Sequence, residues 1–250
     1  MRKLAFALFL LSVCARAHDL WMIEENGRVL VRIGEDFPVA TNGITADRVV
    51  FLRMVGAGGG VTLEGRAEEK QFAAALPPGG PRLVELEVKP RFITLKAPDF
   101  NRYIQGEGFA HVIAARKAAG ASDSPGREIY SRYSKLLIEG PGDDRHLLAP
   151  RGHRLEIVPL ANPARLPEAD DLEVQVLFEG KPLAGAQVSA GAAGMKGHQF
   201  AATVKTGPDG RARLRLSGKG LWYIRLIHMI PSAEPEADWR SFFGTMVFQR

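Results

Sequence analysis

The stretch Leu172-Glu173-Val174-Gln175-Val176-Leu177-Phe178-Glu179-Gly180-Lys181-Pro182-Leu183 decides how this chain folds. Leu172, Val174, Val176 and Phe178 recur at every second position, with Glu173 and Gln175 between them and Leu177 as the one apolar mismatch. A period of two is that of a strand with one face buried and one face wet. Gly180-Lys181-Pro182-Leu183 then turns the chain into Ala186–Ser189. Further on, Pro208-Asp209-Gly210 turns into the alternating Ala212-Arg213-Leu214-Arg215-Leu216, and Gly220–Ile230 and Phe243–Phe248 add strands. Leu155–Pro159 opens the series. About seven short strands in ~100 residues predict an immunoglobulin-like sandwich over residues 150–250.

Upstream the pattern is similar. Candidate strands are Leu20–Ile23, Val29–Ile33, Val49–Met54, Val61–Leu63, Phe72–Leu76, Leu83–Val88 and Phe92–Leu95. Asn26-Gly27 is a tight-turn pair between the first two. From about residue 100 to 134 a helical insert is predicted. Tyr103, Glu107, Ala110, His111, Ala114, Ala115 and Ala118 recur at helical spacing and Gly120 stops them. A second short helix is predicted over Arg127–Ser134, before strand character returns at Lys135–Ile138. Ala149-Pro150-Arg151-Gly152 reads as a boundary. The expected fold is mainly β: two β-sandwich domains, residues 18–149 with the insert and residues 150–250.

Residues 1–17 read as a cleavable export signal. Arg2 and Lys3 precede the apolar run Leu4–Val13, which is too short to span a bilayer at about 20 residues, and Ala15-Arg16-Ala17 supplies small residues at a cleavage site. Leu11-Ser12-Val13-Cys14 also has the outline of a lipoprotein box, so anchoring at Cys14 is the alternative. Three basic residues and no acidic one leave with the signal, which lowers the formal charge from +5 to +2. No basic stripe remains, which argues against nucleic acid as a partner. Cys14 is the sole cysteine, so the mature chain offers no disulfide, no disulfide-linked partner and no thiol nucleophile. The expected location is the periplasm.

Several segments carry a family resemblance. Gly180-Lys181-Pro182-Leu183-Ala184-Gly185-Ala186-Gln187-Val188, Thr206-Gly207-Pro208-Asp209-Gly210-Arg211-Ala212 and Gly220-Leu221-Trp222-Tyr223-Ile224 resemble prealbumin-like and carboxypeptidase-regulatory-like sandwiches. His18-Asp19-Leu20-Trp21, Tyr130-Ser131-Arg132-Tyr133-Ser134-Lys135, and Ile227-His228 followed by Ala237-Asp238-Trp239 narrow the match. Together they resemble a bacterial periplasmic family of uncharacterised function whose members are often labelled as periplasmic components of nickel or cobalt uptake. The resemblance implies a metal-binding protein that works beside a membrane metal-transport complex.

His18 is the sharpest candidate ligand. As the first residue after cleavage it pairs an imidazole with a primary amine whose pKa is near ~7.7, and borderline metals such as nickel and copper favour such nitrogen donors. His228 lies in the apolar Leu226-Ile227-His228-Met229-Ile230 and needs a hydrogen bond or a metal. Asp238 is a third ligand, the carboxylate that orients that imidazole, or a turn cap. His153 beside Gly152 is a weaker candidate, and His198 weaker still; His111 and His146 read as structural or solvated. Neither Gly-x-Ser-x-Gly nor a P-loop is present, so no catalytic residue is expected. The leading expectation is a non-enzymatic, exported accessory to metal uptake binding nickel, cobalt or copper. A cell-envelope binding or adhesion scaffold is the alternative, and a copper-dependent oxidase beginning on histidine the third reading.

Overall fold

Asn26 and Gly27, at φ +53° and +70°, make the two-residue turn that the Asn-Gly pair predicts. The turn joins β1 (Asp19–Glu25) to β2 (Arg28–Gly34). The structure is a computed structural model that describes residues 18–250 except 169 and 198. The expected signal peptide, including Cys14, and His198 therefore lie outside the described residues.

Fourteen further strands and two α-helices follow in order among the described residues. They are β3 (Val49–Gly56), β4 (Gly59–Thr62), β5 (Gly65–Glu68), β6 (Gln71–Ala75), β7 (Arg82–Leu95), α1 (Ala97–Gly106), α2 (Ala110–Ala118), β8 (Gly126–Ile138) and β9 (Leu155–Pro159). Then come β10 (Leu172–Phe178), β11 (Lys181–Pro182), β12 (Gln187–Ala192), β13 (Ala202–Lys205), β14 (Arg211–Leu214), β15 (Leu221–Pro231) and β16 (Trp239–Gln249). An eight-stranded sheet, β13-β12-β15-β16-β8-β7-β3-β4, forms the middle layer. On one face lies a sheet in the order β1-β2-β6-β5, with the two helices beside it; on the other, β10 pairs β9, β11 and β14. The architecture is mainly β in sandwich-like layers, as the alternation predicts.

The middle sheet draws strands from both sides of residue 150. β8 and β16 pair in parallel, from Glu128 with Trp239 to Leu137 with Phe248. The boundary expected at 149–152 falls in the loop that leads from β8 of this sheet to β9, which pairs with β10 in the sheet on its other face. The two faces of the middle sheet bury different sets: Leu52, Val84, Leu86, Leu136 and Val247 under β1 and β2, and Leu83, Leu137, Leu226, Phe242 and Met246 under β9 and β10. The helices cover a third group, Ile227, Trp239 and Phe243, with Phe100, Ile104 and Val112.

Two expectations for residues 100–134 are corrected. Arg127–Ser134 is not a helix but part of β8, which pairs antiparallel with β7 on one side and parallel with β16 on the other. Ile129, Tyr130 and Tyr133 suit a strand, and two neighbouring strands settle the choice. The helix over Tyr103–Ala118 also breaks at Gly106-Glu107-Gly108, where Gly108 takes φ +73°. After α2, Gly120 does stop the helix: it sits at φ +63°, and the next amide, of Ala121, bonds the Arg116 carbonyl at 2.9 Å. The structure also joins Leu83–Val88 and Phe92–Leu95, expected as two strands, into the single β7, with a bulge between Val88 and Arg91.

Helix α1 seats on the start of β8 through one close approach. A methyl group at Gly126 would collide with the Phe100 ring, which is wholly buried beneath the Arg116 guanidinium at 4.8 Å. Gly126→Ala is expected to cost about 1–3 kcal/mol through overpacking. Chemical denaturation followed by circular dichroism measures it, and a midpoint equal to the parent's would show that the helix does not depend on this contact.

Candidate functional site

The first described residue, His18, lies opposite Glu35 by hairpin arithmetic. Around the Asn26-Gly27 turn, Glu25 pairs Arg28 and Asp19 pairs Gly34, so the next step outward brings residue 35 beside residue 18. His18 Nε2 is 3.7 Å from Glu35 Oε1, and both side chains are about one-third exposed at 36% and 33%. The His18 carbonyl accepts a hydrogen bond from Arg132 Nη2 at 3.0 Å. A Cβ on Gly34 would strike the Val39 carbonyl and come within 3.2 Å of Trp21, so only glycine lets the loop after β2 close down. Phe37 then anchors that loop, stacked on Tyr223 at 4.5 Å and edge-on to Trp21 at 5.4 Å.

Asp19 is fixed from below. Arg225 Nε on β15 donates to Asp19 Oδ1 at 3.0 Å, and its two terminal nitrogens donate to Glu107 at 2.8 and 3.0 Å. All three groups are buried or nearly so. Burial opposes the charge on Arg225, but Asp19 and Glu107 outweigh it and hold the guanidinium above its usual pKa. Leu20 is tied in the same way: its carbonyl accepts from Thr245 Oγ1 at 2.7 Å, and Thr245 shares a hydrogen bond with Ser134 at 2.8 Å. Nearby, the buried Glu128 accepts from the Ser241 hydroxyl and, at 3.4 Å, from Tyr103. Burial pushes Glu128 up to about 7 against those hydrogen bonds. A polar seam therefore runs between the apolar ground covered by β1 and β2 and that covered by the helices.

The other candidate ligands lie elsewhere. His228 projects to the opposite face, with its ring 4.6 Å from Phe178. Burial and the neighbouring His111 push it down to about 4, so it is neutral near pH 7. His111 Nε2 donates to the Met229 carbonyl at 2.8 Å, beyond the point where β12 leaves the edge of β15. His111 and His228 line a small cleft of about 280 Å³ with Glu107, Phe109 and Gln187. Asp238 is not in that cleft. Arg127 Nη2 donates to its Oδ1 at 2.7 Å, and it sits four residues before Phe242, the partner of His228, roughly 13 Å along the strand. His153 is buried, with Nε2 3.4 Å from Glu85 Oε1 and its ring 5.8 Å from Phe51 and 5.7 Å from Tyr133. Glu85 also takes Arg53 Nε at 2.7 Å and Arg151 Nε at 3.2 Å. Burial of Glu85 is overcome by His153 and these arginines, which hold it down at about 2. His146 Nε2 meets the Pro81 carbonyl at 2.8 Å. His18, His228, Asp238 and His153 thus stand at separate places, and no three His, Cys, Asp or Glu side chains converge among the described residues.

The sequence matches the family described as "Domain of unknown function (DUF4198)" over residues 15–230. The chain belongs to that family. The match begins three residues before His18 and takes in β1 to β15. Among solved structures, the D0–D1 domain of intimin is similar at 10% identity, covering 92% of this chain and 97% of that one, with a TM-score of 0.23. A likeness that loose carries no functional message. No curated protein matches. No helix among the described residues is long and apolar enough to cross a membrane.

Glu128 makes the seam sensitive to pH. Its folded pKa of about 7 stands above the ordinary 4.5, so the folded state binds more protons in that window. Stability from this group is full below about pH 4.5 and declines as pH rises to 7, by about 3 kcal/mol at most. Glu128→Gln is expected to remove that decline. Urea denaturation of parent and variant at pH 5 and pH 7.5 tests it: equal pH slopes in the two proteins would contradict the buried, protonated carboxyl.

Proposed function

We propose that this DUF4198 protein is exported, loses residues 1–17 and then holds one divalent transition-metal ion at His18, as an envelope accessory to metal uptake. The observation that carries the reading is the His18–Glu35 pair at the end of the first hairpin. A histidine at a chain start closes a chelate ring through its amine and Nδ1. That use of Nδ1 leaves the proton on Nε2, the atom that faces Glu35. A carboxylate there fixes the tautomer and the ring orientation and raises the basicity of the donor nitrogen. The surrounding bonds support the role: Arg132 holds the His18 carbonyl and Arg225 holds Asp19, so little chain entropy remains to be lost on binding.

Nitrogen donors of this type suit copper, nickel and cobalt in that order of intrinsic affinity. A metal bound here would supply a charged centre with open coordination positions for a passing ligand. His228 and Asp238 are proposed no role at that centre. His228 lies on the far face, and Asp238 is engaged with Arg127. A membrane metal-transport complex is the partner this reading implies.

Calorimetric titration of the chain beginning at His18 with nickel, cobalt and copper tests the proposal. One site is expected. His18→Ala or one extra residue ahead of His18 should abolish it, and Glu35→Gln should weaken it about 10–100-fold. Affinity should fall as pH drops below ~7.7, where the amine keeps its proton. No metal binding, or binding untouched by His18→Ala, would leave an exported β-rich scaffold in its place.

A further inference from the structure

A group of cations stands beside His18 without carboxylate partners. Arg91 on β7 lies directly across from Tyr130 on β8, so their side chains share a face. Arg132 is two residues along β8 on that same face. Its guanidinium rests 4.8 Å from the centre of the Tyr130 ring and 5.5 Å from that of Phe243, and its Nη2 reaches the His18 carbonyl. Arg48 approaches from the start of β3 and donates to the Lys89 carbonyl at 2.6 Å. Among the described residues no carboxylate lies within 4 Å of Arg48, Arg91 or Arg132, although arginines elsewhere in the fold pair freely with acids. The nearby acids have other partners: Asp19 has Arg225, Glu128 has Ser241 and Tyr103, and Asp47 has Thr45. Burial, and then Arg91, push the Arg48 guanidinium below its usual pKa; burial does the same to Arg132 against the opposing pull of Tyr130 and Asp19, with Arg48 and Arg91 adding to it.

Three like charges gathered at one half-exposed place repel, and a bound anion relieves that repulsion. Arginine presents paired N–H donors that match a carboxylate, and a tyrosine hydroxyl adds a further donor. We infer that Arg48, Arg91, Arg132 and Tyr130 form the anion-binding half of a site whose metal-binding half is His18, and that the cargo is a metal–polycarboxylate complex of the citrate class. This rests on the metal reading of His18. The two halves meet at Arg132, which is bonded to the metal-bearing residue itself. A chelate from two protein nitrogens leaves coordination positions that citrate oxygens fill, while the remaining carboxylates face the arginines.

Equilibrium dialysis separates the two ideas. The chain beginning at His18 is dialysed against nickel chloride, against labelled citrate, and against the preformed equimolar nickel citrate complex, and both retained nickel and retained citrate are counted. Citrate should be retained in equal amount with nickel, and at least tenfold more weakly in its absence. Arg91→Ala changes an exposed edge residue; it should weaken citrate retention at least tenfold and leave retention of nickel alone unchanged. Nickel retained from the nickel citrate complex without its citrate, or citrate retained equally by Arg91→Ala, overturns the inference and leaves the metal reading standing. Failure to retain nickel at all overturns the metal reading and takes this inference with it.

Discussion

Arg225 is the interaction on which the rest of the structure depends. It lies under the middle of the molecule, on β15, and binds Asp19 from the first strand and Glu107 from the break between the helices. Neither carboxylate is near it in sequence. A buried charge without partners costs several kcal/mol, and breaking such a group by removing one member is far worse than never building it. Five guanidinium donors in a rigid fork meet two acids, so the triad specifies three chain directions at once. Gly106 and Gly108 let the helix break where Glu107 must turn inward, and Gly108 approaches Gln187 so closely that a Cβ would lie 2.8 Å from its amide oxygen.

The polar seam around this arginine explains how a mostly apolar sheet can carry two different covers. β1 and β2 bury one part of its face, and α1 and α2 bury another. Between them the side chains are Arg225, Glu128, Ser134, Ser241, Thr245 and Arg132. Each reaches a partner on a cover or a neighbouring strand, as buried polar groups must. His18 sits where the seam opens to solvent. Its main chain is held and its imidazole is about one-third exposed. That combination gives an accessible imidazole on an ordered backbone, which is what the proposed metal site asks of it.

Much of this was legible in the sequence, for local reasons. Alternation at Leu172–Phe178 and the Asn26-Gly27 turn report on neighbours in the chain, and the structure places strands where they point. The same turn also implied the His18–Glu35 pair: counting outward from a two-residue loop brings Glu35 opposite His18, a step that needs only the register. Other features are decided by distant partners. Residues 127–134 look helical alone and become a strand because β7 and β16 supply both edges. Arg225 lies in an apolar run that gives no hint of its two acids, one 206 positions away. Arg91, Tyr130 and Arg132 acquire meaning only once β7 and β8 are paired. His228 and Asp238 are only ten residues apart in sequence, yet the strand register separates them.

Native-state hydrogen exchange of the intact chain, residue by residue, is the most direct measure of whether Arg225 locks the first strand to the body. If it does, the protected amides of Leu20 to Ile23 exchange only through global unfolding, with the same free energy and the same denaturant dependence as those of Phe243 to Val247 on β16. If β1 instead exchanges by local fraying, independent of denaturant, while β16 remains protected, then the buried triad does not hold His18 in place.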